Sequence, residues 1–219
     1  MRKLKTEEDE VYHIFNRGVH KKDIFNDVTD YWRFLFLITH FQSPIHFTNV
    51  SFSVHRLRRQ ISQHRVLIND KTVEKIKKQR NIELIAFALM PNHFHLLIKE
   101  RSGNGIPNFL QRIQNSYTKY VNAKHKTSGH LFQGPYRIVH ISNNDQFLHT
   151  AAYIHKNCAE LKGWRNREKL YPWSSLQDYV TENRFGSLLV TEPIMEQFSS
   201  LAEYQKFIDS SNAKSIEDA

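Results

Sequence analysis

His93 and His95 stand one residue apart in the run Leu84–Glu100, LIAFALMPNHFHLLIKE. Two apolar segments flank Met90-Pro91-Asn92, so the run reads as two buried strands joined by a tight turn. Side chains alternate along a strand. His93 and His95 therefore share one face, and Phe94, Leu96 and Ile98 share the other. Neutral imidazoles are ligands for divalent ions. Two of them on one rigid strand make half of a metal site. The chain has 13 histidines, so a chance pair is also expected, and a third ligand is the criterion.

A helix supplies one candidate. Over Asp145 to about Leu161 the apolar stripe is Phe147, Ala151, Ile154, Cys158 and Leu161. Tyr153 lies roughly 120° from the centre of that stripe at about 100° per residue. Asn157 is one turn further on, so the two project together. The bland alternative for Tyr153 is a surface tyrosine beside a loop. Tyr117 and Tyr120 lie on the apolar stripe of the helix Ile106–Lys124 and read as core aromatics. Asn157 offers a carbonyl oxygen to a hard ion. Two imidazoles and an amide oxygen leave coordination positions open for a phosphodiester. A phenol beside the ion can attack the phosphorus and store the bond as a phosphotyrosine.

The elements that position these groups follow in order. Val11–Phe15 reads as a strand, and Asp27–Phe41 as a helix capped by Thr29 or Asp30. Residues 43–81 form an insertion rich in Arg and Lys, with a short helix at Val73–Gln79. The His hairpin, the helix Ile106–Lys124, a strand at Tyr136–Ser142 and the Tyr153 helix come next. Shorter helices are expected around Ser174–Val180 and Thr191–Ile208. The order β-α-β-β-α-β-α is an α+β, ferredoxin-like (split βαβ) antiparallel sheet. It carries an added tyrosine-bearing helix C-terminal to the last strand, and a helical insertion. The first and third strands lie mid-sheet, and both crossover helices leave the His face open. The expected division is a catalytic unit over 1–185 and an acidic, partly helical tail over 186–219.

Composition narrows the class. Lys plus Arg is 31 against 22 Asp plus Glu, a net +9. From Thr191 onward acids outnumber lysines, so the first 190 residues are more basic than the whole. Such a body suits a phosphate backbone. A single cysteine, Cys158, excludes an intramolecular disulfide and a cysteine zinc cluster. The charged start has no signal-peptide core and no run is long enough for a bilayer span, so a cytoplasmic protein without membrane attachment is expected.

At the chemical residues the sequence resembles a family. Met90–Ile98, MPNHFHLLI, is similar to the His-hydrophobic-His motif of single-tyrosine HUH transposases. Tyr153-Ile154-His155-Lys156-Asn157 is similar to their tyrosine motif, in which a polar residue four positions on completes the metal site. Arg17-Gly18, Asp23-Ile24-Phe25, Gly129–Gly134 and Trp173-Ser174-Ser175 resemble the REP-associated tyrosine transposase branch. The likeness runs from about Val11 to Val180. It implies Tyr153 as nucleophile, with His93, His95 and Asn157 holding Mg2+ or Mn2+. It also implies single-stranded DNA with a hairpin as substrate, cleaved to a 5′-phosphotyrosine and a free 3′-hydroxyl, by a monomer or homodimer. Two departures stand out. Cys158 occupies the position after the motif Asn where the branch usually has Pro, so the helix is expected to run on through it. Pro135-Tyr136-Arg137 replaces a more usual basic-aromatic pair. Candidate phosphate contacts are Arg17, Lys21, Lys22, Arg112, Lys119, Arg137 and Lys156. The rival reading is a non-catalytic single-stranded nucleic-acid-binding module, which stacks bases on aromatics of the open face. A third is a nuclease in which water attacks and Tyr153 is incidental.

Overall fold

A computed structural model describes residues 5–63 and 71–211. His64, and Arg65, Lys214, Glu217 and Asp218, which are counted in the charge above, lie outside the described residues.

Strand β1 spans Val11–Arg17 and helix α1 spans Val28–His40. The cap of α1 is Asp27, earlier than expected. Its side chain accepts from the N–H groups of Thr29 and Asp30, and the Asp30 carboxylate accepts from the N–H of Asp27. This reciprocal arrangement satisfies donors that lack a partner in the first turn. The 43–81 segment holds α2 (Val50–Ser62) and α3 (Lys71–Gln79). Helix α2 is hard to see in the sequence because Val54 and Leu57 alone are buried in it, among Arg56, Arg58 and Arg59.

Strands β2 (Ile82–Met90) and β3 (His93–Glu100) form the hairpin. Helix α4 spans Gly105–His125 and strand β4 spans Arg137–Ile141. The start of α4 is tied to the end of β3. The buried Glu100 carboxylate accepts from the N–H groups of Gly105 at 2.9 Å and Ile106 at 3.0 Å. A negative charge there also suits the helix dipole. Gly105 is required by this approach, since a Cβ would sit 2.1 Å from the Asn81 carbonyl oxygen.

The chain continues in α5 (Asn144–Lys156), α6 (Leu176–Val180), α7 (Glu192–Met195) and α8 (Leu201–Ser210). Helix α5 stops short of the expected Leu161. A 3-10 turn over Asn157–Glu160 follows it, and Cys158 packs there with Met90 and Tyr171.

The sheet order is β2-β3-β1-β4 with every pair antiparallel. This is the ferredoxin-like α+β arrangement, with the His strand second from one edge. Helices α1 and α4 cover one face, where Phe34, Ile113 and Tyr117 pack on Phe94, Leu96 and Ile98. Tyr117 is fully buried and donates to the Ile24 carbonyl, as a core aromatic should. Helix α5 covers the other face, and α6 and α8 pack against it. Its approach is allowed by small side chains on both sides, Ala86 and Ala88 below and Ala151 and Ala152 above.

A bulge in β2 sets that face. Leu84 pairs with Ile98, but the next pair is Ala86 with Leu97, leaving Ile85 as the extra residue. The inserted residue reverses the alternation. Ala86, Ala88 and Met90 thereby stand beside Leu97, His95 and His93, while Phe87 and Leu89 turn to the opposite core. Among the described residues no helix is long and apolar enough to cross a membrane.

Candidate active site

Register places the chemistry in rows across the sheet. Arg17, His93 and Met90 form one row, and Arg137, Phe15, His95 and Ala88 form the next. His13 lies in the third row, opposite Leu97 and diagonal to His95. Helix α5 crosses above them. The Tyr153 ring meets His95 edge-on, with centroids 5.3 Å apart, and His13 at 6.0 Å. Tyr153 is 6% exposed and belongs to the core under α5. Its sequence portrait as a tyrosine outside the core needs that correction. Its ring lies against His95 and His13, so the sheet buries this flank of α5 as well as the apolar stripe.

Asn157 joins the histidines. Its Oδ1 lies 3.1 Å from His93 Nε2. The other nitrogen of His93, Nδ1, donates to Asn92 Oδ1 at 2.6 Å. His95 Nδ1 is 3.0 Å from His13 Nε2. Among the described residues, the buried His95 Nε2 has no hydrogen-bond partner, and the same is true of His13 Nδ1. Burial holds the His95 imidazole well below its usual pKa, helped by His13, His93 and Arg17. Burial alone pushes His13 down to about 4. Both rings are therefore neutral and carry lone pairs.

These atoms fit a divalent ion. An imidazole nitrogen that carries its lone pair can ligate a Lewis acid, and two acceptor atoms held close together want a cation between them. Cis ligands of an octahedral ion lie about 3 Å apart, given bonds of about 2.1 Å. The His93–Asn157 separation matches. Each far imidazole nitrogen is also held by another side chain, the usual support for a ligating histidine. Among the described residues no three His, Cys, Asp or Glu side chains form a group that could hold a metal ion, and the oxygen beside His93 is that of the Asn157 amide.

The basic candidates divide. Arg17 is the cross-strand neighbour of His93. Exposed Lys21 and Lys22 lie on the adjoining loop, which the hairpin turn supports: Gly18 N–H donates to the Asn92 carbonyl, and Asn92 Nδ2 to that of Lys21. Exposed Arg137 is in the His95 row. Three others are placed elsewhere. Arg112 and Lys119 are on α4, across the sheet. The Arg112 guanidinium donates to the carbonyls of Phe41, Ser43 and Ile45 and lies over the Phe41 ring. Lys156 Nζ donates to the carbonyls of Asp209 and Ser211 and closes the end of α8.

Other motif residues are structural. Phe132 bridges to Gly18 and packs in the core. Ser175 lies along β2: its N–H donates to the Phe87 carbonyl, and its Oγ accepts from Phe87 N–H. The same Oγ is 2.9 Å from His155 Nε2, and His155 Nδ1 is 2.7 Å from the Tyr204 hydroxyl. His155 thus ties α5 to α8 between Tyr153 and Asn157.

Burial pushes His155 down to about 3. In the unfolded chain the group takes up its proton near pH 6.5, so the unfolded state binds more protons between these values. Stability from this residue is complete above pH 6.5 and falls as pH drops, by about 1.4 kcal/mol per unit. Urea unfolding between pH 7 and pH 5 should show at least that slope, since buried His13 and His95 add to it with the same sign. His155→Gln should be less stable at pH 7 and should have a slope shallower by about one proton.

His13 has no motif signal in the sequence, and the MPNHFHLLI run that contains Asn92 gives that residue no role of its own. Alternation puts His13 on the face of Phe15 and Arg17, but only register brings it to His95.

The profile of the family described as "Transposase IS200 like" matches residues 39–157, more than half of the chain. Several solved chains are similar, two of them described below. One is a REP-associated tyrosine transposase bound to a REP hairpin, 15% identical, covering 87% of this chain and 90% of that one with a TM-score of 0.49. The other is a putative transposase from Deinococcus radiodurans R1, 17% identical, covering 72% and 95% with a TM-score of 0.30. No curated protein matches the sequence. The match to the family profile runs from the end of α1 to Asn157 and takes in the histidine pair and Tyr153, and on it the chain belongs to the IS200-like transposase family.

Proposed function

We propose that this transposase cleaves and rejoins single-stranded DNA beside a hairpin, with Tyr153 as nucleophile. His93, His95 and Asn157 hold Mg2+ or Mn2+. The observation that carries the reading is the orphaned His95 Nε2, beneath the Tyr153 ring and next to the His93–Asn157 pair. When bound, the ion polarises the scissile phosphate and stabilises charge on its non-bridging oxygens.

The residues of the chain do the rest. Tyr153 Oη forms a bond to phosphorus, and the bond from phosphorus to the 3′-oxygen breaks. The phenol proton passes to solvent, and the 3′-oxygen takes one up and leaves as a hydroxyl. The downstream strand stays on Tyr153 through its 5′-phosphate. Reversal with a different 3′-hydroxyl rejoins DNA, because the bond has been kept as an ester. The rigid strand and the packed α5 hold nucleophile and ligands in place. Arg17, Lys21, Lys22 and Arg137 meet the phosphates at the rim.

The rival binding-module reading needs an open sheet face on which bases stack. Helix α5 lies over that face. The test is a single-stranded hairpin oligonucleotide labelled at its 3′ end, with Mn2+ or with EDTA. A denaturation-resistant labelled adduct that needs the metal is expected. Cleavage without an adduct makes water the nucleophile, and binding without cleavage makes the protein a binding module.

A further inference from the structure

We infer that His13 is the positioning residue of the metal site, accepting the Nδ1 proton of His95 at its Nε2 and so leaving the His95 Nε2 lone pair facing the ion. The inference rests on the reading of His93, His95 and Asn157 as ligands.

The two rings are nearly parallel, at 20° and 5.2 Å between centroids, with the two nitrogens 3.0 Å apart. One proton lies between them, and it belongs to either ring. If His13 Nε2 carries it, His95 is protonated on Nε2 and cannot ligate. If His95 Nδ1 carries it, His95 Nε2 is free to ligate and His13 holds its own proton on Nδ1.

A purely structural pair should satisfy both rings. This one does not: His13 Nδ1 and His95 Nε2 are both buried without partners among the described residues. An ion at His95 Nε2 resolves one of these and selects the second arrangement. The cost is one orphaned N–H on His13. A phenyl ring of similar size would avoid that cost, so the imidazole is kept for what its Nε2 accepts.

The strand explains why a side chain has this task. His93 sits next to the turn and uses Asn92 Oδ1. His95 is mid-sheet, where neighbouring carbonyls are engaged in the ladder, and the acceptor has to come from the diagonal position on β1.

The test uses the full chain and measures metal binding apart from activity. Free Mn2+ is followed by electron paramagnetic resonance for the unmutated protein, His13→Phe and His13→Gln. His13→Phe should weaken Mn2+ binding by about 10- to 100-fold. His13→Gln, whose Oε1 can accept the proton, should recover most of it. Imidazole nitrogen NMR of the unmutated protein with Mg2+ should show both His13 and His95 protonated on Nδ1, whatever the stability of the variants. A His13 proton on Nε2 in that state overturns the inference. So does Mn2+ affinity in His13→Phe equal to that of an unmutated protein that binds. Absence of Mn2+ binding by the unmutated protein removes the ligand set, and the role of His13 with it.

Discussion

Tyr153→Phe should abolish the covalent protein–DNA adduct, lowering its rate of formation by at least about 10^3-fold, the scale on which loss of a catalytic nucleophile is felt. Affinity for the same hairpin oligonucleotide should change by less than about threefold, because the phosphate contacts are untouched. The ring is what packs. It lies edge-on to His95 in the core under α5, and phenylalanine keeps that contact. The variant should therefore fold normally, and lost cleavage reports lost chemistry. Tyr117→Phe is the control. It removes a buried hydrogen bond to the Ile24 carbonyl and should cost about 1 kcal/mol of stability while leaving the adduct intact. The readout is labelled DNA retained by protein on a denaturing gel. Adduct formation by Tyr153→Phe at the unmutated rate would move the nucleophile to another residue.

His93→Ala should remove metal binding and cleavage together, with Mn2+ affinity falling at least about 100-fold. His93 is half-buried at the start of β3, so the fold should tolerate its loss better than that of the fully buried His95. Asn157 separates a ligand from a spectator. Asn157→Asp replaces an amide oxygen with a carboxylate of the same shape and should bind Mn2+ at least as tightly as the unmutated chain. Asn157→Leu should lose about 10-fold or more. Equal Mn2+ affinity in Asn157→Asp and Asn157→Leu would take Asn157 out of the ligand set, whatever happens to activity.

Parts of this architecture can be read locally. The alternation of His93, Phe94 and His95 follows from strand geometry, and the structure puts Phe94 in one core and the histidines on the other face. Tyr153 and Asn157 share a side because they are four residues apart across the end of α5. The order of strands and helices allows the ferredoxin-like sheet, and the sheet is found. The basic candidates are different. Arg112, Lys119 and Lys156 look like phosphate ligands in a list of cations. Yet Arg112 and Lys156 are held by carbonyls, those bonded to Arg112 lying 67 or more residues away and those bonded to Lys156 53 or more. Charge says that a side chain wants an anion or a dipole, and it does not say which one will be within reach. Helix α2 was hidden for a related reason: two buried residues are too few to make a stripe.

The sequence by itself determined the pair of imidazoles, the phenol one turn from an amide, and that the members of each pair share a face. Those are consequences of intervals of two and four residues, which covalent geometry converts to directions in space. Only the tertiary structure decided that β1 pairs with β3 in the register that brings His13 to His95, and that α5 lies over that pair with Asn157 at His93. Register and helix docking depend on side chains far apart in the chain, on the bulge at Ile85 and the alanines of β2 and α5 that let the layers close. No local period carries that information. The histidine pair is thus a property of one strand, and its meeting with His13, Tyr153 and Asn157 is a property of the packed sheet and helix.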